Sequence, residues 1–122
     1  VFFFTPNRIL SGKEAALPHY ISGDSFRSFA DFVFDLNPGS DSSASICKNI
    51  KPGDVVFVQT LRLGAFFAKV HRHIKVPYIL LTHNGDEPVP GEWYRHLDSD
   101  KLIAWFGQNV EHRTHPKLIP IP

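Results

Sequence analysis

Residues 54–83, DVVFVQTLRLGAFFAKVHRHIKVPYILLTH, decide the fold. Val55 to Gln59 is a short β-branched run, the composition of a buried strand. Leu63, Phe66, Phe67, Val70 and Ile74 then fall at i, i+3, i+4, i+7 and i+11, one face of an amphipathic helix. Lys69, Arg72, His73 and Lys75 lie mainly elsewhere on it. Pro77 ends the connection, and Tyr78 to Thr82 is a second buried strand. Strand, helix, strand is a βαβ unit, which calls for a parallel sheet and, by default, a right-handed crossover.

Further along, Leu102 to Phe106 predicts a third strand and Leu118 to Ile121 a fourth, separated by the polar stretch 107–117. Residues 88–98 are irregular, with one helical turn around Glu92 to Leu97. Toward the N-terminus, Phe26, Phe29, Val33 and Leu36 predict a helix over 24–36, capped by Asp24 or Ser25 and stopped by Asn37-Pro38-Gly39. The Ser, Asp, Gly and Pro of residues 37–45 read as an exposed loop, and Val1 to Thr5 as a strand. The expectation is one α/β domain over 1–122, with a Rossmann-like parallel sheet of about four strands and flanking helices. Residues 1–46 form its less regular part and 47–122 its βαβ core.

Composition removes several function classes. The 122 residues carry 13 basic and 12 acidic side chains, so a net charge of +1 gives no footprint for nucleic acid. One cysteine, Cys47, excludes an internal disulfide framework and any multi-cysteine zinc site. It is compatible with cytosol or lumen, so no compartment follows. The apolar runs are far shorter than the ~20 residues a membrane span needs. No G-x-G-x-x-G, P-loop or G-x-S-x-G motif occurs. Methionine is absent, and the chain starts and stops in apolar runs, Val1 to Phe4 and Ile119 to Pro122. Both ends look cut, and the expectation is a piece of a larger protein.

Open parallel sheets bind ligands outside the carboxyl ends of their strands. That rule selects Gln59 to Gly64, His83 to Glu87, and Gly107 to Asn109. Gln59, Arg62, Asn84, Gln108 and Asn109 are candidate substrate contacts, because paired amide donors and acceptors suit a polyhydroxylated ligand. His83 is a candidate general base, with Asp86 or Glu87 as its orienter. Asn84-Gly85-Asp86 also reads as a plain turn, or as a carboxylate site for a divalent ion on a diphosphate, with Asn84 and Asp86 as ligands. His71 and His73 point in different directions on a helix, and His112 and His115 lie where no helix is evident, so both pairs read as solvated and no metal site is assigned. Arg27 with the start of its helix could hold an anion; the plainer expectation is that Arg27 is solvated. Cys47 reads as structural or incidental.

The strings VPYILLTHN (76–84), KLIAWFGQN (101–109) and HPKLIPIP (115–122), with SGDSFR (22–27), resemble the first half of a group of glycosyltransferase-like proteins distantly similar to the exostosin-type transferases. The resemblance covers most of residues 20–122 and implies a two-domain GT-B arrangement. This chain would be the N-terminal, acceptor-binding half. The nucleotide-sugar donor would bind a C-terminal domain beyond Pro122, so no cofactor is expected on this piece. The reaction implied is attack of a hydroxyl acceptor, carbohydrate or other, on the nucleotide-sugar. Two alternatives stand beside it: a non-enzymatic flavodoxin-like module that binds a small polar ligand or a protein partner at the same rim, and a metal-dependent single-domain sugar transferase using Asn84 and Asp86.

Overall fold

The structure, a computed structural model, describes residues 23–111 and 115–122. The strand expected at Val1 to Thr5 and the residue His112 lie outside them. The elements in chain order are α1 (Gly23–Phe29), β1 (Phe32–Phe34), α2 (Ser43–Asn49), β2 (Val55–Gln59), α3 (Leu63–Lys69), β3 (Tyr78–His83), β4 (Leu102–Gly107) and β5 (Leu118–Pro120). Three 3-10 segments, Thr60–Arg62, His71–His73 and Gly91–Asp98, complete the chain between them. The strands form a five-stranded sheet in the order β1-β2-β3-β4-β5, parallel at every pair, in an α/β Rossmann-like arrangement.

Strand order and connection hand together explain where the core sits. The described strands pair in chain order without a reversal. Crossovers of one hand along such a sheet all fall on the same face. Accordingly Ile46 of α2, Leu63, Phe66 and Phe67 of α3, Val70, and Leu97 of the last 3-10 segment share one cluster with Val56, Val58, Leu80 and Trp105. The alternate strand residues Val55, Phe57, Leu81 and Phe106 point the other way and meet Phe26 of α1. Strands buried on both faces read as continuous apolar runs rather than alternations, which is the pattern of 55–58 and 78–82.

Four differences from the sequence reading have identifiable causes. Among the described residues there are five strands, because the helix expected over 24–36 stops at Phe29 and Phe32–Phe34 forms β1. Phe-Val-Phe is a strand-favouring triplet, and its partner β2 supplies a full parallel register, Phe32 to Val56 through Phe34 to Val58. Leu36, expected on the buried face of that helix, is 66% exposed. The cap is displaced too: α1 begins at Gly23, so Asp24 and Ser25 lie in its first turn. The loop expected over 37–45 gives way at Ser43 to α2, whose N-cap Ser42 accepts a hydrogen bond from the Ser45 N–H at 3.0 Å.

The helix expected from Leu63 to Ile74 holds its apolar face but winds as α3 followed by the 3-10 turn His71–His73. That tighter turn puts His71 inside, 5% exposed, rather than in solvent. The turn around Glu92 to Leu97 is present within Gly91–Asp98. A register shift between Tyr78 and Ile79 pairs Tyr78 with Leu102 and Ile79 with Ala104, leaving Ile103 as the extra, exposed residue. Among the described residues no helix is long and apolar enough to cross a membrane.

Candidate functional site at the carboxyl rim

At the end of β1 the chain enters a polar knot centred on Asp35, 2% exposed. Its Oδ2 accepts from Arg27 Nε at 2.8 Å and from the Asn37 amide at 3.3 Å, and Oδ1 accepts from the Asn37 N–H at 3.1 Å. Burial pushes the carboxyl up, but the Arg27 and Asn37 hydrogen bonds and the guanidinium charge outweigh it and hold Asp35 below the usual range. Arg27, expected in solvent, is therefore an ion-pair partner. The anion it holds is internal.

Arg62 and Gln59 reach the same strand end. Arg62 Nη1 donates to the Asp35 carbonyl at 3.0 Å, and its guanidinium lies 3.9 Å from the Phe34 ring centroid, a cation–π contact. Gln59 Oε1 accepts the Leu36 N–H at 3.0 Å, joining the ends of β1 and β2. Both candidate contacts are at the rim, and each spends part of its hydrogen-bonding capacity on the fold.

His83 closes β3 and is 6% exposed. Its Nδ1 accepts the Asn84 N–H at 2.9 Å, which assigns the proton to Nε2, and Nε2 donates to the Pro122 carbonyl at 2.7 Å. The Phe26 ring covers it at 5.3 Å between centroids. A general base needs a free lone pair within reach of the proton it takes. In this arrangement both ring nitrogens are engaged by main chain. Asp86 is exposed, and no hydrogen bond joins it to His83 among the described residues.

The turn reading of 84–86 is realised in its backbone. Asn84 has φ 62°, the left-handed conformation asparagine tolerates. Gly85 follows because a Cβ there would lie 2.6 Å from Thr60 Cβ, and Gly23 because a Cβ there would lie 1.7 Å from Asn84 Oδ1. Asn109, also left-handed at φ 59°, donates its amide to the Gly85 carbonyl at 3.1 Å, tying the loop after β4 to the loop after β3. Gln108 Oε1 is buried without a hydrogen-bond partner among the described residues.

The rim therefore brings together Gln59, Arg62, His83, Asn84, Gln108 and Asn109 at the ends of three neighbouring strands. Beside it lies a cleft of about 240 Å³ that the sequence reading did not single out, although Thr60, Leu63 and Glu87 of its lining fall in the selected loops. Thr60 and Leu63 line it, together with residues of the segment after β3, Glu87, Glu92 and Trp93 among them. Its signal in the sequence was the run Asp86-Glu87-Pro88-Val89-Pro90-Gly91-Glu92, three carboxylates with no base. Glu87, considered as an orienter of His83, lines this cleft instead. Among the described residues no three His, Cys, Asp or Glu side chains converge as a metal site, the neighbourhood of Asn84 and Asp86 included.

Away from the rim, under α3, lies a second group of titratable side chains. The Tyr78 hydroxyl meets His71 Nδ1 at 2.6 Å, and Lys101 Nζ donates to the carbonyls of His71 and, at 2.8 Å, Ile74. The Cys47 thiol contacts the Val70 carbonyl at 3.6 Å and is pushed up by burial, the state of an inert structural cysteine. His115 pairs with Asp98 at 2.9 Å rather than standing free. No known protein family, curated protein or solved structure matches the chain.

Proposed function

We propose that the carboxyl rim binds a polyhydroxylated acceptor, and that the chain acts as the acceptor-binding part of a sugar transferase drawing on a nucleotide-sugar donor. One observation carries it: four side-chain amides, Gln59, Asn84, Gln108 and Asn109, stand at the ends of three adjacent parallel strands. Amides offer a donor and an acceptor at fixed separation, the match for neighbouring hydroxyls. The transferase setting draws its support from the resemblance of 76–84 and 101–109 to glycosyltransferase-like proteins. Donor chemistry would then lie outside this chain.

Titration of the chain with simple glycosides, followed by amide and side-chain resonances, tests the binding. Shifts at Asn84, Gln108 and Asn109 are expected, and unmoved rim resonances at high glycoside concentration would refute it. The chain alone should show no transfer from a free nucleotide-sugar; robust turnover would overturn the acceptor-half assignment.

A second reading, a binding module without catalysis, is favoured by His83, whose ring nitrogens are both taken by main chain. His83→Gln separates the two in the larger enzyme. Loss of transfer with glycoside binding kept supports His83 as base; unchanged transfer supports binding alone.

A further inference from the structure

The cleft beside the rim has a chemistry different from the rim's amides. Its hydrogen-bond donors are largely consumed. The Thr60 hydroxyl is turned to the His83 carbonyl at 3.4 Å, and the Leu63 N–H closes on the Thr60 carbonyl. The Gly91 N–H is held by Glu111 Oε2 at 2.6 Å, and the Trp93 main-chain N–H by the Pro90 carbonyl at 2.9 Å. Pro88 and Pro90 bring no N–H at all. Acceptors remain: Glu87 and Glu92 are exposed carboxylates without a cationic partner among the described residues.

The wall adds an aromatic group held in place. Trp93 stacks on Phe67 at 5.5 Å between centroids, and its benzo edge lies 3.6 Å from where a Gly64 Cβ would be. A fixed indole beside unpaired carboxylates attracts an organic cation through charge and the ring quadrupole together. A divalent metal would want a denser set of hard oxygen ligands, and no such group of three converges among the described residues. An anion would want main-chain donors and cationic side chains; the Leu63, Gly91 and Trp93 main-chain N–H groups are taken, and the lining holds no Lys or Arg.

We propose that the cleft between Thr60 and Trp93 is a binding site for a small organic ammonium ion, with Glu87 and Glu92 as counter-charges and the Trp93 indole as its aromatic wall. The site shares the loops after β2 and β3 with the rim, but its lining contains none of the rim amides Gln59, Asn84, Gln108 and Asn109, and its occupant need not be the polyhydroxylated ligand.

Choline and its uncharged carbon isostere dimethylbutanol provide the test, each titrated into the chain while the Trp93 indole and Gly91 amide resonances are followed. Butylammonium as a third probe separates a primary ammonium from a quaternary one. Saturable shifts with either ammonium, none with the isostere, and binding weakened about tenfold or more in Glu87→Gln/Glu92→Gln are expected. Both positions are exposed, so the double variant should fold, and its unchanged thermal midpoint is part of the result. Equal binding of the isostere, unchanged affinity in the double variant, or shifts here with a neutral glycoside alone would each overturn the site. Glycoside shifts at Asn84, Gln108 and Asn109 are read separately, so the rim proposal can stand or fall on its own.

Discussion

Asp35 keeps its charge in a position almost closed to solvent because three donors reach its carboxylate: Arg27 by its Nε, and Asn37 by its main-chain N–H and its amide. Removing Arg27 leaves a buried carboxylate with only neutral partners. Arg27→Ala should therefore cost about 2 kcal/mol in denaturant unfolding, the range of a hydrogen bond to a charged group. Asp35→Asn in the Arg27→Ala background should cost less than it does alone, since the pair is already broken; additive costs would mean the two side chains do not couple.

His71 gives a pH dependence of opposite origin. Burial, then the charges of Lys101 and His96, lower its pKa from 6.5 to about 4, while the Tyr78 hydroxyl, held neutral by burial, shares a hydrogen bond with its Nδ1. The unfolded chain takes up a proton near its ordinary value that the folded chain refuses. Stability is thus complete above pH 6.5 and is lost as pH falls from there toward 4, by up to about 3 kcal/mol from this group. His96 is lowered as well and acts in the same direction. His71→Gln should flatten the slope between pH 6.5 and 4; an unchanged slope would assign it elsewhere. None of this was legible from the sequence. His71 and His73 look alike as letters, and only the 3-10 turn after Val70 sends one inward.

At the scale of elements, long periodic runs were readable and short ones were not. β2, α3 and β3 carry clear apolar signals: two short unbroken runs bounded by turn residues, and between them a 3.6-residue period. Residues 24–36 do not. Phe26 and Phe29 belong to a seven-residue helix and Val33 to a three-residue strand, and their spacing mimics a single helix. α2 hid behind a Ser-rich stretch, because serine signals both a loop and an N-cap. Ser42→Ala should cost about 1 kcal/mol, measured by thermal or denaturant unfolding, if that cap holds α2.

The rim's loops were placed correctly by the strand-end rule, but their fit depends on close approaches that no spacing reveals. Gly85 packs against Thr60 and Gly107 against Val89, where a Cβ would lie 2.6 Å and 2.8 Å from side-chain carbons. Gly107→Ala should destabilise by about 1–3 kcal/mol through overpacking. Val89→Ala introduced with it should recover part of that loss in the same unfolding measurement. A loss that persists in full would place the strain on Thr82 Oγ1, 3.1 Å away, which also accepts the Trp105 indole N–H.

For the whole molecule, the sequential strand order has consequences that neither residues nor elements show. Among the described residues, α2, α3 and the 3-10 segment Gly91–Asp98 pack on one face and α1 on the other. β2, β3 and β4 are flanked by paired strands on both sides, with five or six residues each. Among the described residues, β1 and β5 pair on one side only, over three residues. Cooperative opening should begin where few buried contacts and few ladder bonds hold the chain. Native-state hydrogen exchange should then rank the amides of β2 to β4 as the slowest, exchanging only with global unfolding. β5 should open at lower free energy. His83 donates to the Pro122 carbonyl just beyond β5, so opening that end would release its Nε2 and leave the imidazole free to meet a ligand. If β5 amides instead exchange as slowly as those of β3, the strand is locked into the global unit, and His83 is a structural clasp in the ground state of the rim.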